Sequence, residues 1–428
     1  MIDVGKTEVA IHPHAANPLK IGIYQSYWGA VGGGQRYVGV VAAMLGQYHQ
    51  VEIIHHAKDF DRDAVEKALE LDLSEVRFRL VERRDRPSWP SRNPLVRLRL
   101  ERAWCREISM PYDVFIDSSD IPPFFCHAHR GVLITHFPLI SFEEFHGRNT
   151  DAWRCRSAPA KWALSLFHRL EWRSRFQSYD RFVVNSEFTK RWIRRLWGVQ
   201  ADVLYPPLRR GLKPLRKRPI ILNVSAFHRA QHKRHHVLIE SFRQLCAQNY
   251  LGWQLVLVGA CGNDADDLAY VESLRESARG LPVAIRTNLD GAALKELFGE
   301  ASVFWHSMGY GVDPNREPRL MEHFGMVAVE AMAAGCVPVL FCGGGLREIV
   351  SSGKDGFLWS TVDELLSSTR LLLEDEALRS RLSQAAVRRS CDFSEDVFEN
   401  RLWQIFRPVL QPITSRTKQL PKCDAQEC

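Results

Sequence analysis

The feature that most constrains this chain is an alternation, sustained almost from end to end, of short β-branched runs with longer stretches of helical period. Parallel strands need crossover helices, which cover both faces of the sheet, so such strands read as apolar runs spaced by helices. Strands read at 20–24, 51–55, 76–81, 113–117, 131–135, 181–184 and 202–204, then at 220–224, 254–258, 283–285, 303–305 and 337–340. Helical pattern fills 35–46 and 162–176, then 233–247, 265–278 and 325–334. Between the two sets, Tyr205-Pro206-Pro207 and the basic, Pro-containing stretch 209–219 break both periods. The expected fold class is therefore α/β, with two Rossmann-like domains at 20–210 and 211–392 after an extension at 1–19. Beyond Gly356 the pattern turns mainly helical. An amphipathic segment at 393–411 is expected to return to the first domain, and the polar tail at 412–428 to fray.

At 428 residues the chain is long enough for two cores. Its 45% hydrophobic and 25% charged residues exclude disorder as the main state. The net charge of +7 is unevenly placed: residues 1–210 hold 31 Lys and Arg against 24 Asp and Glu, whereas the remainder is balanced. A basic first half points to an anionic partner, either a phosphorylated substrate or a lipid headgroup surface. No uncharged apolar run approaches the ~18 residues of a membrane helix, and the first residues lack the apolar centre of a secretion leader. The ten cysteines form no C-x-x-C pair. They read as reduced thiols of a cytoplasmic protein, with no structural zinc.

Two segments carry chemistry. The first is Trp28-Gly29-Ala30-Val31-Gly32-Gly33-Gly34-Gln35-Arg36-Tyr37, between the first strand and its helix. Glycines at a helix start let backbone N–H groups approach an anion, aided by the positive end of the dipole, so Gly33 and Gly34 suit a phosphate or sugar diphosphate. The bland alternative is a tight turn without ligand. A dinucleotide fingerprint needs a third glycine where Tyr37 stands, which weakens the reading of an NAD(P)-dependent oxidoreductase. The second segment runs from Glu322 to Val339. From Met326 to Ala334 it is apolar on every face except at Glu330. A buried carboxylate needs a basic partner or a ligand hydroxyl; the bland alternative is an internal ion pair with Arg347. Glu322 precedes this helix, where Phe324, Gly325 and Met326 would turn free N–H groups toward an anion. Carboxylates at the mouth and two turns inside can hold opposite ends of an extended ligand.

Glu322-x7-Glu330, the following Ala331-Met332-Ala333-Ala334-Gly335, then Gly343-Gly344-Gly345-Leu346-Arg347-Glu348-Ile349-Val350 and Asp355-Gly356-Phe357 carry a family likeness. Together they resemble the donor-site signature of retaining family 4 glycosyltransferases with the GT-B fold. The likeness extends through Trp305-His306-Ser307, Tyr205-Pro206-Pro207, Val184-Asn185-Ser186-Glu187 and His136-Phe137-Pro138, from about residue 20 to 405. The form Glu322-His323-Phe324-Gly325 is similar to members that extend lipid-linked or polysaccharide glycans, mannosyltransferases using GDP-mannose among them. The resemblance implies two facing Rossmann-like domains and a sugar moved, with retention, from a nucleotide-sugar donor to a glycan or lipid-linked acceptor. It implies that Glu322 contacts donor hydroxyls and Glu330 the ribose, while Gly33 and Gly34 approach the diphosphate. His136 would face the sugar, and Lys233 would neutralise the leaving diphosphate. The family's G-R-F after the first strand of the second domain appears here as Ser225-Ala226-Phe227, so Arg229 or Arg234 is expected to supply the missing guanidinium. A fold-retaining, non-catalytic glycan-binding protein is the remaining rival. No metal or other cofactor is expected.

Weaker signals have simpler accounts. Asp264-x-Asp266 opens a helix, where acids complement the dipole. His232, His235 and His236 lack the carboxylate or cysteine that would complete a metal set, and His127-x-His129 reads as a packed or surface pair. Trp162 and Trp172 read as core or interfacial packing. The stretch 83–106 holds eight arginines interleaved with Trp89, Leu95, Val96, Leu98, Leu100 and Trp104. If 94–106 is helical, it is a basic amphipathic surface of the kind that docks peripherally on anionic lipid at the cytoplasmic membrane face. The bland alternative is a solvated face, and no nucleic-acid-binding module accompanies the charge.

Overall fold

The computed structural model describes residues 17–26, 28, 32–82, 93–148, 154–228, 232–250 and 252–411. Within them the chain forms two compact units. One takes in the chain up to Val184, Lys190–Leu204 and the chain from Glu399; the other takes in Asn185–Thr189 and Tyr205–Phe398. The switch thus falls at Tyr205, and the short segment Asn185–Thr189 belongs with the second unit.

The first unit is built on seven parallel strands: β1 (Lys20–Tyr24), β2 (Gln50–His55), β3 (Val76–Leu80), β4 (Val114–Ser118), β5 (Arg130–Thr135), β6 (Arg181–Val184) and β7 (Asp202–Val203). Their order is β3-β2-β1-β4-β5-β6-β7. Helices α1 (Gly33–Gly46), α2 (Arg62–Leu69), α3 (Pro94–Ser109), α4 (Phe142–Phe145), α5 (Ala158–Phe176) and α6 (Glu187–Trp197) connect them. The order reverses between β1 and β4, and α1 begins just after β1, so its glycine start lies where such sheets open a ligand crevice at their carboxyl ends. Tyr37 explains the missing third glycine: its ring is buried and its hydroxyl donates to Leu204 O at 3.0 Å.

The second unit repeats the plan with β8 (Arg218–Val224), β9 (Gln254–Gly259), β10 (Val283–Thr287), β11 (Ala301–His306), β12 (Val337–Phe341) and β13 (Phe357–Trp359), ordered β10-β9-β8-β11-β12-β13. Its helices are α7 (His235–Ala247), α8 (Ala265–Ser277), α9 (Gly291–Glu300), α10 (Met326–Ala333), α11 (Leu346–Ile349), α12 (Val362–Glu374) and α13 (Glu376–Ser390); α14 (Glu395–Leu410) follows. Alternation along β8 splits the core, because successive side chains point to opposite faces. Ile220, Leu222 and Val224 pack with α10, whereas Ile221 packs with α7. The basic linker is not merely solvated: Lys217 Nζ donates to Gly299 O, Ala301 O and Ala334 O at 2.6 to 2.8 Å, closing the carboxyl ends of α9 and α10. Burial lowers the Lys217 pKa. The strand β13 departs from the helical pattern expected beyond Gly356.

Candidate donor site

In the second unit the strand order reverses between β8 and β11, and the residues singled out after Val224 and His306 meet there. Lys233 Nζ lies 3.3 Å from Glu322 Oε2 and 3.1 Å from Met308 Sδ. His306, buried at the end of β11, brings its Nε2 to 3.4 Å from the same carboxylate oxygen. Burial alone would push the Glu322 carboxyl up; the Lys233 ammonium foremost, then the His306 ring, outweigh it and hold the group well below the usual carboxylate range. Glu322 is therefore held ionised and can accept hydrogen bonds.

Backbone packing holds this carboxylate in place. Gly345 N donates to Glu322 O at 2.8 Å. A Cβ on Gly344 would overlap Glu322 O, and one on Gly345 would overlap His323 O while lying 2.6 Å from Phe324 Cα. The glycine triplet is thus the floor under the Glu322 turn, which is why both motifs belong to one site. Gly325 takes φ 110°, a left-handed conformation suited to glycine, and caps α10. Phe324 is buried against Tyr205 and Phe393, both with ring centroids at 5.5 Å, so its side chain anchors the turn from the core. Met326, half-buried, opens the helix.

Glu330 is buried, and its partner is Arg209, whose Nε lies 3.3 Å from Glu330 Oε1. The expected partner Arg347 is exposed. Three residues quoted only as family likeness also have defined work here. Besides His306, Ser186 Oγ donates to His323 O at 2.6 Å, and Glu348 accepts from Glu187 N, Phe188 N and the Tyr205 hydroxyl at 2.7 to 3.1 Å. For His306 and Ser186, polarity at the end of an apolar strand was the available signal.

The loop ahead of α7 is strained: His232 and Arg234 adopt φ of 51° and 63°. Left-handed backbone outside glycine is costly and gathers at functional sites. Ser307 Oγ donates to Lys233 O at 3.0 Å and Arg234 O at 3.4 Å, fixing the loop to β11. Arg234 Nε is shielded from solvent with no hydrogen-bond partner among the described residues. Arg229, the other candidate guanidinium, lies outside the described residues.

The first unit holds a separate group. Asp120 Oδ1 accepts from His136 N, Thr135 Oγ1 and Phe137 N at 2.7 to 3.2 Å, fixing the turn after β5. The His136 ring meets Tyr37 edge-on, with centroids 5.3 Å apart. A Cβ on Gly34 would sit 3.2 Å from His136 Nε2, so glycine lets α1 approach the imidazole. Gly33 is exposed.

Among the described residues, one set, His228, Asp264 and Asp267, brings potential metal-ligand atoms within 4.8 Å of one another. Asp267, buried where Asp264-x-Asp266 read as solvated helix-opening acids, joins Asp264, and His228 is paired with Asp267. Asp264 caps α8 by accepting from Asp267 N at 2.9 Å. His235 is a core residue whose ring meets Ser225 Oγ at 2.7 Å and Tyr270 OH at 3.1 Å; burial pushes its pKa down to about 3.

Two parallel-sheet units of this kind match the GT-B fold. Solved structures agree in fold: a glycosyltransferase from Rickettsia africae has TM-score 0.64 at 16% identity, covering 92% of this chain and 99% of its own. Anabaena HepE, solved with UDP and glucose, has TM-score 0.61 at 16% identity, covering 91% and 100%. Family models match on both sides of the boundary, Glycosyltransferase Family 4 over residues 31–208 and Glycosyl transferases group 1 over 207–389. The chain belongs to family 4 of the GT-B glycosyltransferases. Among curated relatives, the GDP-Man:Man(3)GlcNAc(2)-PP-Dol alpha-1,2-mannosyltransferase of Xenopus laevis is 25% identical, covering 95% of this chain and 91% of its own. The protein of that name from Dictyostelium discoideum is 28% identical, covering 54% and 48%. Against several such relatives the chain spans about half their length.

Proposed function

We propose that this glycosyltransferase moves a sugar from a nucleoside diphosphate donor, GDP-mannose foremost, to a glycan or lipid-linked acceptor with retention of configuration. The carrying observation is the charged web after β8 and β11: an ionised Glu322 carboxylate held by Lys233 and His306, beside Arg234, whose solvent-shielded Nε has no hydrogen-bond partner among the described residues. Glu322 would accept from donor sugar hydroxyls. Lys233 and Arg234 would face the diphosphate, where negative charge grows as the glycosidic bond breaks and preset cations lower the barrier. Glu330, oriented by Arg209, would accept from the ribose hydroxyls. Gly33, Gly34 and His136 of the first unit would serve the diphosphate and the sugar. Retention follows the resemblance of Glu322-x7-Glu330 to the donor-site signature of the retaining family. The choice of mannose follows the names of the matched relatives.

The test is a transfer assay with labelled GDP-mannose and a panel of UDP-sugars, using glycan and polyprenyl-linked acceptors, with the product anomer read by proton NMR. GDP-mannose should turn over and yield the α-product. Turnover of a UDP-sugar alone would replace the donor, and a β-product would remove the retaining assignment.

A further inference from the structure

Helices α3 and α5 lie side by side in the first unit, tied by a buried ion cluster. Arg175 Nη1 donates to Glu101 Oε1 at 2.5 Å and its Nη2 to Glu171 Oε1 at 2.7 Å, all three residues being buried. Nearby, Arg102 Nη2 donates to Ser174 Oγ at 3.3 Å. One buried Arg175 thus draws Glu101 of α3 and Glu171 of α5 inward, and Glu171 is the only acidic residue of α5.

The outward faces have the opposite character. On α5, Trp162, Leu166 and Leu170 follow one another at helical spacing, 72%, 48% and 60% exposed. Of the core or interfacial packing expected for Trp162, the core is excluded: it points to solvent, because the buried stripe of α5 runs through Glu171, Arg175 and Phe176 on the other side. On α3, Leu95, Val96 and Leu100 are exposed likewise. Interleaved with them, Arg99, Arg106, Arg169 and Arg173 are exposed and form no ion pair among the described residues. Glu107 is the one exposed acid on these two helices. Contiguous exposed apolar patches are uncommon on monomers and mark interaction surfaces. A patch that mixes an exposed tryptophan and leucines with arginines complements a surface that is anionic outside and apolar just beneath. No described helix is long and apolar enough to cross a membrane; this face would lie on one.

We propose that the joint outer face of α3 and α5 docks the first unit on an anionic lipid bilayer, with Trp162, Leu166 and Leu170 entering the interface and the arginines pairing with headgroup phosphates. The proposal goes beyond the donor assignment and stands or falls apart from it. The probe is flotation with vesicles of phosphatidylcholine containing about 30% phosphatidylglycerol, against pure phosphatidylcholine. The wild-type protein should float with the anionic vesicles only, and less as salt rises. Replacing Trp162, Leu166 and Leu170 together by serine should weaken binding at least about tenfold. Reversing Arg99, Arg169 and Arg173 to glutamate should weaken it more than about a hundredfold, since each basic residue near an anionic surface strengthens binding roughly fivefold. Both variants change exposed side chains, so circular dichroism and lipid-free GDP-mannose binding should match wild type. Donor binding is read without lipid, which separates failure of the donor assignment from failure of this face. Three results overturn the proposal: wild-type protein that does not float, equal flotation with both vesicles, or variants that float like wild type. It also fails if light scattering shows a dimer that the serine variant abolishes, because the face would then belong to a second copy of the chain.

Discussion

The two glycine turns, Gly32–Gly34 in the first unit and Gly343–Gly345 in the second, look alike in sequence and do opposite work. The first opens a helix toward free space: Gly33 is exposed, and the nearest atoms to an added Cβ on Gly34 belong to one side chain, His136. In the second, Gly344 and Gly345 are pressed against backbone, the carbonyls of Glu322 and His323, which cannot move without moving the carboxylate turn. Glycine in the first turn lets α1 approach the His136 ring, and in the second it brings two pieces of chain together. Runs of glycine therefore need their neighbours identified before a phosphate is assigned to them.

Substitution should separate the two turns widely. Gly345→Ala is expected to destabilise the protein by about 3 kcal/mol or more, because a Cβ there meets backbone, and to abolish nucleotide binding. Urea denaturation with a GDP titration checks both. Gly34→Ala, inside the first turn of α1, should change stability by less than about 1 kcal/mol, because alanine's better helix propensity offsets a contact that the His136 ring can relieve. Its turnover should still fall several-fold. Equal losses at the two positions would erase the distinction.

Charge sharpens the comparison next. Lys233→Met should lower turnover about a hundredfold while costing much less in stability, because the cation matters most where diphosphate charge develops. Steady-state kinetics beside thermal melting reads the split. The same variant should show a pH effect. Glu322 is held below its ordinary 4.5, so the stability it contributes is complete above that value and lost only as pH falls through the lower folded-state value. Without Lys233 the folded-state carboxyl should move up toward 4.5, so the loss of stability that Glu322 contributes as pH falls below that value should be smaller than in wild type. Curves that superimpose would leave Lys233 without influence on Glu322. Glu330→Gln should weaken GDP binding about tenfold, the loss of one charge-assisted hydrogen bond. Unchanged affinity with a lower melting point would make the Arg209–Glu330 pair purely structural.

Local rules carried much of this molecule into view, and long-range pairing did not. The strands from β1 to β12 stood out as short apolar runs between helices, and Glu330 stood out as the lone charge in an apolar helix. Its partner did not: Arg209 lies in the linker far upstream, and only the folded chain brings it to α10, whereas Arg347, near in sequence, stays exposed. The strand β13 has three residues, too few to show a period of two. His306 was visible as a polar residue closing an apolar strand, but its reach to Glu322 depends on the glycine floor that sets the carboxylate's position. Trp162 lies on a helix whose buried stripe is defined by Arg175 and Glu171, so a hydrophobicity pattern assigns the wrong side as core.

The central claim is that the Lys233, His306 and Glu322 web receives a nucleoside diphosphate sugar. Its most direct test is calorimetric titration of GDP-mannose into wild-type protein and Lys233→Met, with NADPH as the comparison ligand. Saturable binding of GDP-mannose to wild type, weakened at least about tenfold in Lys233→Met, and no heat from NADPH is the predicted result. Equal affinity in the two proteins, or binding of NADPH in place of any nucleotide sugar, would contradict it.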